Sequence, residues 1–365
     1  MAIRGQIRVG IIGAGLIGQT HSLMLKQIAD RTEQSVRVVA IADVAGAAAA
    51  QLSARWPGAR AISSTREILD DAAIEAVWIC TPTAMHRETC IAAARAGKHI
   101  FCEKPLAMSA EEAAEMGQVI GTAGVVSQVG LVLRFSPVYT VMKSLIAEPE
   151  AGRVLAATMR DDQDFPIRGV HASGWRNDPR LTAGGTLVEH SVHDIDLFTW
   201  MFGSIRRLYC RTRNLSGAPG VEDFAATDIE FESGMSAHLV SIWHRMIGRP
   251  SNRRFEIFAE NVFVASDFDM EGAIVVQHGA NGSEETIPAG EVTRRFGEIV
   301  RAERPHLAPF LDTRGVAYAL EDANFVAALC GETEAYPEFE TGVRVQRLVE
   351  AAYASARVGA PREFD

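Results

Sequence analysis

The first third of the chain alternates short apolar runs with segments whose apolar residues recur at helical spacing. This pattern predicts strands near 7–13, 36–43, 59–63, 75–81, 99–103 and 125–133, with helices near 16–29, 64–70, 84–96 and 109–123 between them. The last of these helices opens with Ser109-x-x-Glu112, the spacing of a capping box, and the Ala45–Ala50 run reads as another helix start. Strand–helix alternation of this kind implies a doubly wound parallel sheet with helices on both faces, so the fold class is α/β. Past Ser136-Pro137 and a helix to about Ala147, the period changes. Alternating runs at 153–160, 205–213, 225–231 and 235–242 predict a second, α+β domain built on a large, open, mostly antiparallel sheet with one covered face. Helices return at 186–202, about 308–330 and 342–357. The domains divide as 1–133 and 134–365.

A chain of 365 residues accommodates two such domains, and 47% hydrophobic with 22% charged residues is the mix of an ordinary globular protein rather than a disordered one. The formal net charge of -10 argues against a general nucleic-acid binder and favours a small-molecule ligand. Five cysteines, Cys80, Cys90, Cys102, Cys210 and Cys330, contain no C-x-x-C pair. They read as reduced core residues, not as a disulfide framework or zinc site. The chain runs straight into a strand and has no 18-residue apolar span, which predicts a cytoplasmic protein with no membrane partner.

Two motifs point to a nucleotide. Gly13-Ala14-Gly15-Leu16-Ile17-Gly18 is G-x-G-x-x-G after a strand and before a helix. In that context Gly13 permits the tight turn, Gly15 lets a pyrophosphate approach the backbone, Gly18 allows helix to pack on strand, and helix amides receive the phosphates. Asp43 ends the next strand, where a carboxylate can accept hydrogen bonds from an adenosine ribose hydroxyl. No Arg or Lys follows in Val44–Ala48 to meet a 2'-phosphate, so NAD is preferred over NADP. Thr81-Pro82-Thr83 ends the fourth strand at the same sheet edge and is placed to line the nicotinamide side.

The run His99-Ile-Phe-Cys-Glu103-Lys104-Pro105 puts a charged pair at the carboxyl end of a strand, where ligands collect in open parallel sheets. A partly desolvated Lys104 can transfer a proton or polarise a substrate oxygen. The competing reading, a Glu103–Lys104 ion pair, requires a bend, because adjacent strand residues face opposite ways.

In the second half, Gly184-Gly185-Thr186 leads into a helix on which Glu189, His193 and Asp196 share one face. His193 is a candidate general acid/base that Glu189 can orient, although Thr186-x-x-Glu189 also fits a capping box. A metal reading through His193 with His190 or Glu189 lacks a third ligand, and His190 reads as a packing histidine. Upstream, the loop from Asp164 to Arg176 is rich in groups that bind hydroxylated ligands, with Trp175 and Arg176 the preferred members.

Taken in order, these residues, with His86, Ala96-Gly97-Lys98-His99, and Arg134-Phe135, resemble the Gfo/Idh/MocA superfamily along essentially the whole chain. The resemblance implies an N-terminal Rossmann domain and a C-terminal sheet that forms a homodimer or homotetramer interface. It implies an oxidoreductase using a nicotinamide cofactor on a hydroxyl or ketone of a sugar or cyclitol. It assigns Lys104, His193 and Glu189 to catalysis, Lys104, Arg134, Trp175, Arg176, Glu189 and His193 to substrate, and the glycine motif, Asp43, 81–83, His86, Glu103 and Lys104 to cofactor, with no metal. Many polyol-oxidising members have Asp where Glu189 stands. The expected chemistry is proton removal by His193 as hydride leaves, with Lys104 stabilising the developing charge. The competing functions are a reductase or dihydrodiol dehydrogenase on a less polar substrate, and a non-catalytic NAD(H) sensor.

Overall fold

Strand β1 (Ile7–Ile12) is buried at all but one position and ends in the glycine turn that starts helix α1 (Leu16–Arg31). The alternation continues through β2 (Val36–Ala42), α2 (Gly46–Ser53), β3 (Arg60–Ile62), α3 (Thr65–Leu69), β4 (Ala76–Ile79), α4 (His86–Arg95), β5 (His99–Glu103), α5 (Ala110–Ala123) and β6 (Ser127–Gly130). These six strands are parallel, in the order β3-β2-β1-β4-β5-β6. All four residues of β4 are buried, as expected for a strand covered on both faces. The computed structural model describes residues 3, 5–32, 35–166, 173–246, 248–249, 251–279 and 281–364.

The remaining elements are α6 (Pro137–Ala147), β7 (Val154–Asp164), α7 (Thr186–Glu189), α8 (Val192–Phe202), β8 (Ile205–Arg213), β9 (Phe224–Phe231), β10 (Ser236–His244), β11 (Asn252–Ala259), β12 (Val262–Ser266), β13 (Ile274–His278), β14 (Glu285–Ile287), α9 (Ala289–Glu303), α10 (Val316–Leu329), α11 (Phe339–Val358) and β15 (Arg362–Glu363). Strands β7 to β15 form one nine-stranded sheet, ordered β14-β13-β12-β11-β7-β10-β9-β8-β15 and antiparallel except at the central β7–β10 pair.

Two compact units result. One comprises Met1–Val132 with Arg301–Arg344, the other Leu133–Val300 with Val345–Asp365. The sequence reading divides the chain once, at 133/134, whereas the first unit also takes in 301–344. The cause is α10, which is buried on every side and packs on α1, the behaviour of a core helix.

Three elements differ from their predicted form. The helix expected over 186–202 breaks at His190–Ser191. The helix expected over 308–330 becomes a 3-10 turn at Pro305–Phe310 followed by α10, with Gly315 in a left-handed conformation between them. Strand β7 extends four residues beyond 160 because buried partners satisfy its polar end. Four of the cysteines are buried, Cys330 is half-buried, and all five are free thiols. No described helix is long and apolar enough to cross a membrane.

Candidate active site

The parallel sheet brings the glycine turn, Thr81–Thr83 and Glu103-Lys104 to one edge, the carboxyl ends of β1, β4 and β5. The order of strands reverses between β1 and β4, the place where such sheets bind ligands. Gly13 has φ +102°, and a side chain at Gly18 would place its Cβ 2.0 Å from the Gly13 oxygen. At Gly15, by contrast, nothing lies within 4 Å of the Cβ position. The turn is therefore tight on its protein side and open at the residue that a pyrophosphate must approach. The first turn of α1 carries no acidic residue to repel phosphate, and Leu16 is exposed beside it. The Thr81 hydroxyl is buried with no hydrogen-bond partner among the described residues. These features fit a dinucleotide.

Asp43 follows β2 and binds the glycine turn itself: the Ala14 N–H donates to its Oδ2 at 2.7 Å, and the Ala45 N–H to its Oδ1 at 2.7 Å. Each carboxylate oxygen keeps a second lone pair for a ribose hydroxyl. Asp43→Asn is expected to raise KM for NAD about tenfold by losing charge-assisted bonds, with a smaller change for NADP. Initial-rate kinetics with both cofactors check this, and an unchanged NAD preference contradicts it.

Glu103 does not pair with the Lys104 ammonium across the strand. It turns into the interior of its unit, where its Oε1 lies 3.0 Å from Nε2 of buried His21, while its Oε2 accepts the Lys104 backbone N–H at 3.1 Å. Nδ1 of His21 lies 2.8 Å from Asp322 Oδ1, which also accepts the Trp78 indole N–H at 2.9 Å. Burial opposes charge on His21, but Asp322 and Glu103 outweigh it and hold the imidazole's pKa well above its ordinary value. Burial, with Glu103 beside it, pushes the neighbouring Glu321 carboxyl well up. Ligand-type atoms of His21, Glu103 and Glu321 lie within 4.8 Å of one another. Because carboxylates engage both His21 nitrogens, the cluster has the form of a proton-holding network. Glu103, assigned to the cofactor from sequence, is thus occupied inside the protein.

His86 was also assigned to the cofactor. It is buried, and both ring nitrogens face backbone carbonyls, Pro105 O and Thr81 O, at 2.8 Å each. Lys104 is half-buried beside these residues.

In the second unit, the expected shared helix face is interrupted. Glu189 ends α7, whereas His193 and Asp196 lie on α8. The capping box is not made: Gly185 is the N-cap of α7, and the Thr186 hydroxyl pairs with Ser241 at 2.7 Å. Buried Glu189 instead accepts the Thr182 hydroxyl at 2.8 Å and Arg176 Nε at 3.4 Å, and the Arg176 guanidinium sits 4.6 Å from the Trp175 ring centre. Sequence reasoning missed Glu222, whose carboxylate accepts the Gly185 N–H at 2.7 Å, the Leu187 N–H at 3.0 Å and the Tyr353 hydroxyl at 2.8 Å. The glycine pair marks only the close approach of the Glu222 backbone: a Cβ at Gly185 would fall 1.7 Å from the Glu222 carbonyl oxygen.

Arg134 binds Asp196 through two bonds, at 2.9 and 2.7 Å, with the carboxylate buried. This fork holds α8 and occupies a guanidinium that the sequence assigned to substrate. His193 sits in the first turn of α8 and is mostly buried. Residues 167–172 of the upstream loop, with Arg168 and His171, lie outside the described residues.

Behind His193, an ionic cluster fixes the start of α8. Arg253 Nε donates to Asp194 at 2.8 Å and Nη1 to Asp269 at 2.8 Å, while Nη2 lies 3.1 Å from His190 Nε2. Arginine only donates, so His190 Nε2 accepts, and its ring proton belongs on Nδ1, 2.8 Å from Asp161. His190, read from sequence as a packing histidine, lies within this ionic cluster. Burial, and then repulsion from Asp161, push Asp194 up to about 7. The folded chain therefore keeps a proton there that the unfolded chain loses near pH ~4, so this group's contribution to stability falls as pH rises from ~4 to ~7. Wild type minus Asp194→Asn should show that slope, ~1.4 kcal/mol per pH unit, in denaturant melts. Parallel profiles contradict it.

A family model described as an oxidoreductase family with an NAD-binding Rossmann fold matches residues 7–131, and the Gfo/Idh/MocA C-terminal domain model matches 139–263. Inositol 2-dehydrogenase 2 of Saccharopolyspora erythraea is 30% identical over 294 residues, covering 80% of this chain and 76% of its own. The scyllo-inositol 2-dehydrogenase (NAD+) of Bacillus subtilis (strain 168) is 28% identical over 360 residues, 95% of this chain and 98% of its own. A levoglucosan dehydrogenase solved in complex with NADH and levoglucosan superposes with a TM-score of 0.85 at 25% identity over 99% of each chain. With its glycine turn, its strand-end lysine and both halves of its length accounted for, the chain belongs to the Gfo/Idh/MocA family of NAD-binding oxidoreductases.

Proposed function

We propose that the protein is an NAD-dependent dehydrogenase that reversibly oxidises a ring hydroxyl of a cyclic polyol or sugar. The observation that carries the reading is Lys104, set at the carboxyl end of β5 on the same sheet edge as the open glycine turn of β1, in a family of NAD-binding oxidoreductases. The nicotinamide accepts or returns hydride when bound. Lys104 stabilises negative charge on the substrate oxygen. His193 removes the hydroxyl proton and returns it in the reverse direction. Glu189, Arg176 and Trp175 form a polar and aromatic wall of the kind a hydroxylated ring requires, which favours a polyol over an apolar substrate. We also place the enzyme in the cytoplasm as a homodimer or homotetramer joined through the nine-stranded sheet, a reading supported by exposed Leu155 and Phe258 on the central strands β7 and β11. A panel of inositols, aldoses, anhydrosugars and sugar acids, followed by NADH absorbance with NAD, tests the substrate class. Turnover confined to dihydrodiols would replace it with a dihydrodiol dehydrogenase acting on a less polar substrate.

A further inference from the structure

Lys104 is flanked in sequence by two residues that buried histidines hold. Before it, the Glu103 side chain meets His21 and accepts the Lys104 N–H. After it, the Pro105 carbonyl meets His86 Nδ1 at 2.8 Å, and His86 Nε2 meets the Thr81 carbonyl at 2.8 Å. A carbonyl oxygen can only accept, so both contacts are hydrogen bonds only when each ring nitrogen carries a proton. That state is the imidazolium, here 1% exposed. An apolar residue would fill this space without a buried charge, and a neutral histidine would satisfy only one of the two carbonyls.

We propose that His86 is a positioning residue: a buried imidazolium that ties the Thr81 turn after β4 to the Pro105 turn after β5 and fixes the backbone on which Lys104 stands. His21, engaged by carboxylates on both nitrogens, secures the preceding residue from the opposite side of the sequence. The cofactor role given to His86 by sequence is replaced by this clamp. The proposal rests on the reading that Lys104 acts on the substrate oxygen.

The test uses the full chain labelled with [15N]histidine. His86, identified as the resonance missing from His86→Gln, should carry protons on both ring nitrogens at pH ~8, above the ~6.5 at which a free imidazole gives up its second proton. A His86 with one bare nitrogen there overturns the proposal, and this measurement on wild type stands even if the variant folds poorly. In kinetics, His86→Gln, whose two N–H groups share one nitrogen and so cannot span the two carbonyls held by separate ring nitrogens, should lower kcat about ten- to hundredfold, with KM for NAD changed less than about threefold. Rates are taken per NADH-binding site, so lost folded protein does not count as lost catalysis. Unchanged kcat in His86→Gln beside an inactive Lys104→Ala refutes the clamp alone. Unchanged kcat in Lys104→Ala refutes the underlying reading instead.

Discussion

Lys104→Ala is expected to lower kcat by about 10²–10³-fold on any substrate the enzyme turns over, while NADH binding stays within about threefold. The asymmetry follows from where the residue stands. On the proposed reading, the glycine turn, the α1 amides and Asp43 bind the dinucleotide through groups that the substitution does not touch. In the proposed mechanism Lys104 supplies a positive charge toward an oxygen that becomes negative only as its proton and hydride depart, so its removal should weaken the transition state more than the ground state. Methionine at the same position keeps the length of the stem and loses the charge, and should be as defective as alanine. A Lys104→Met variant with wild-type kcat would show that packing, not charge, is the residue's contribution. Fluorescence titration of NADH in each variant separates binding from turnover.

His193→Asn is expected to cost about 10²–10⁴-fold in kcat, the range for loss of a positioned general base. Asparagine preserves a polar side chain of similar size, and the Arg253–Asp194 and Arg134–Asp196 contacts continue to hold α8, so the fold should persist. The acid limb of the kcat/KM profile should disappear in the variant, because the group whose deprotonation it reports has gone. Persistence of that limb would move the base elsewhere. Glu189→Gln should be milder, because Glu189 is already committed to Thr182 and Arg176.

The Rossmann half was legible because each local rule points the same way: continuous apolar strands, glycines at the turn, and a carboxylate after β2. The strand end carrying Lys104 was legible for the same reason. The second half was read less completely, for reasons visible in particular residues. Asp161 and Asp162 look like loop residues until Arg253 and Arg249, some ninety positions away, are seen to neutralise them inside β7. The break between α7 and α8 leaves no proline or glycine in the sequence; it arises where Ser191 turns its hydroxyl to Asp161 and Ser241, at 3.1 and 2.6 Å. Periodicity could place Glu189 near His193 but could not foresee Thr182 as its partner. Nor could it distinguish a histidine facing a ligand from His86, whose ring nitrogens meet backbone carbonyls that carry no mark in a sequence.

The most direct test of the central claim is transfer of the hydrogen itself. A panel substrate deuterated at the carbinol carbon is incubated with NAD and the enzyme, and the reduced cofactor is weighed by mass spectrometry. The account predicts deuterium in the NADH and in no other product, with the labelled NADH accumulating about 10²–10³-fold more slowly in Lys104→Ala. NADH that forms without deuterium, or a deuterated substrate that exchanges its label with water, would contradict it.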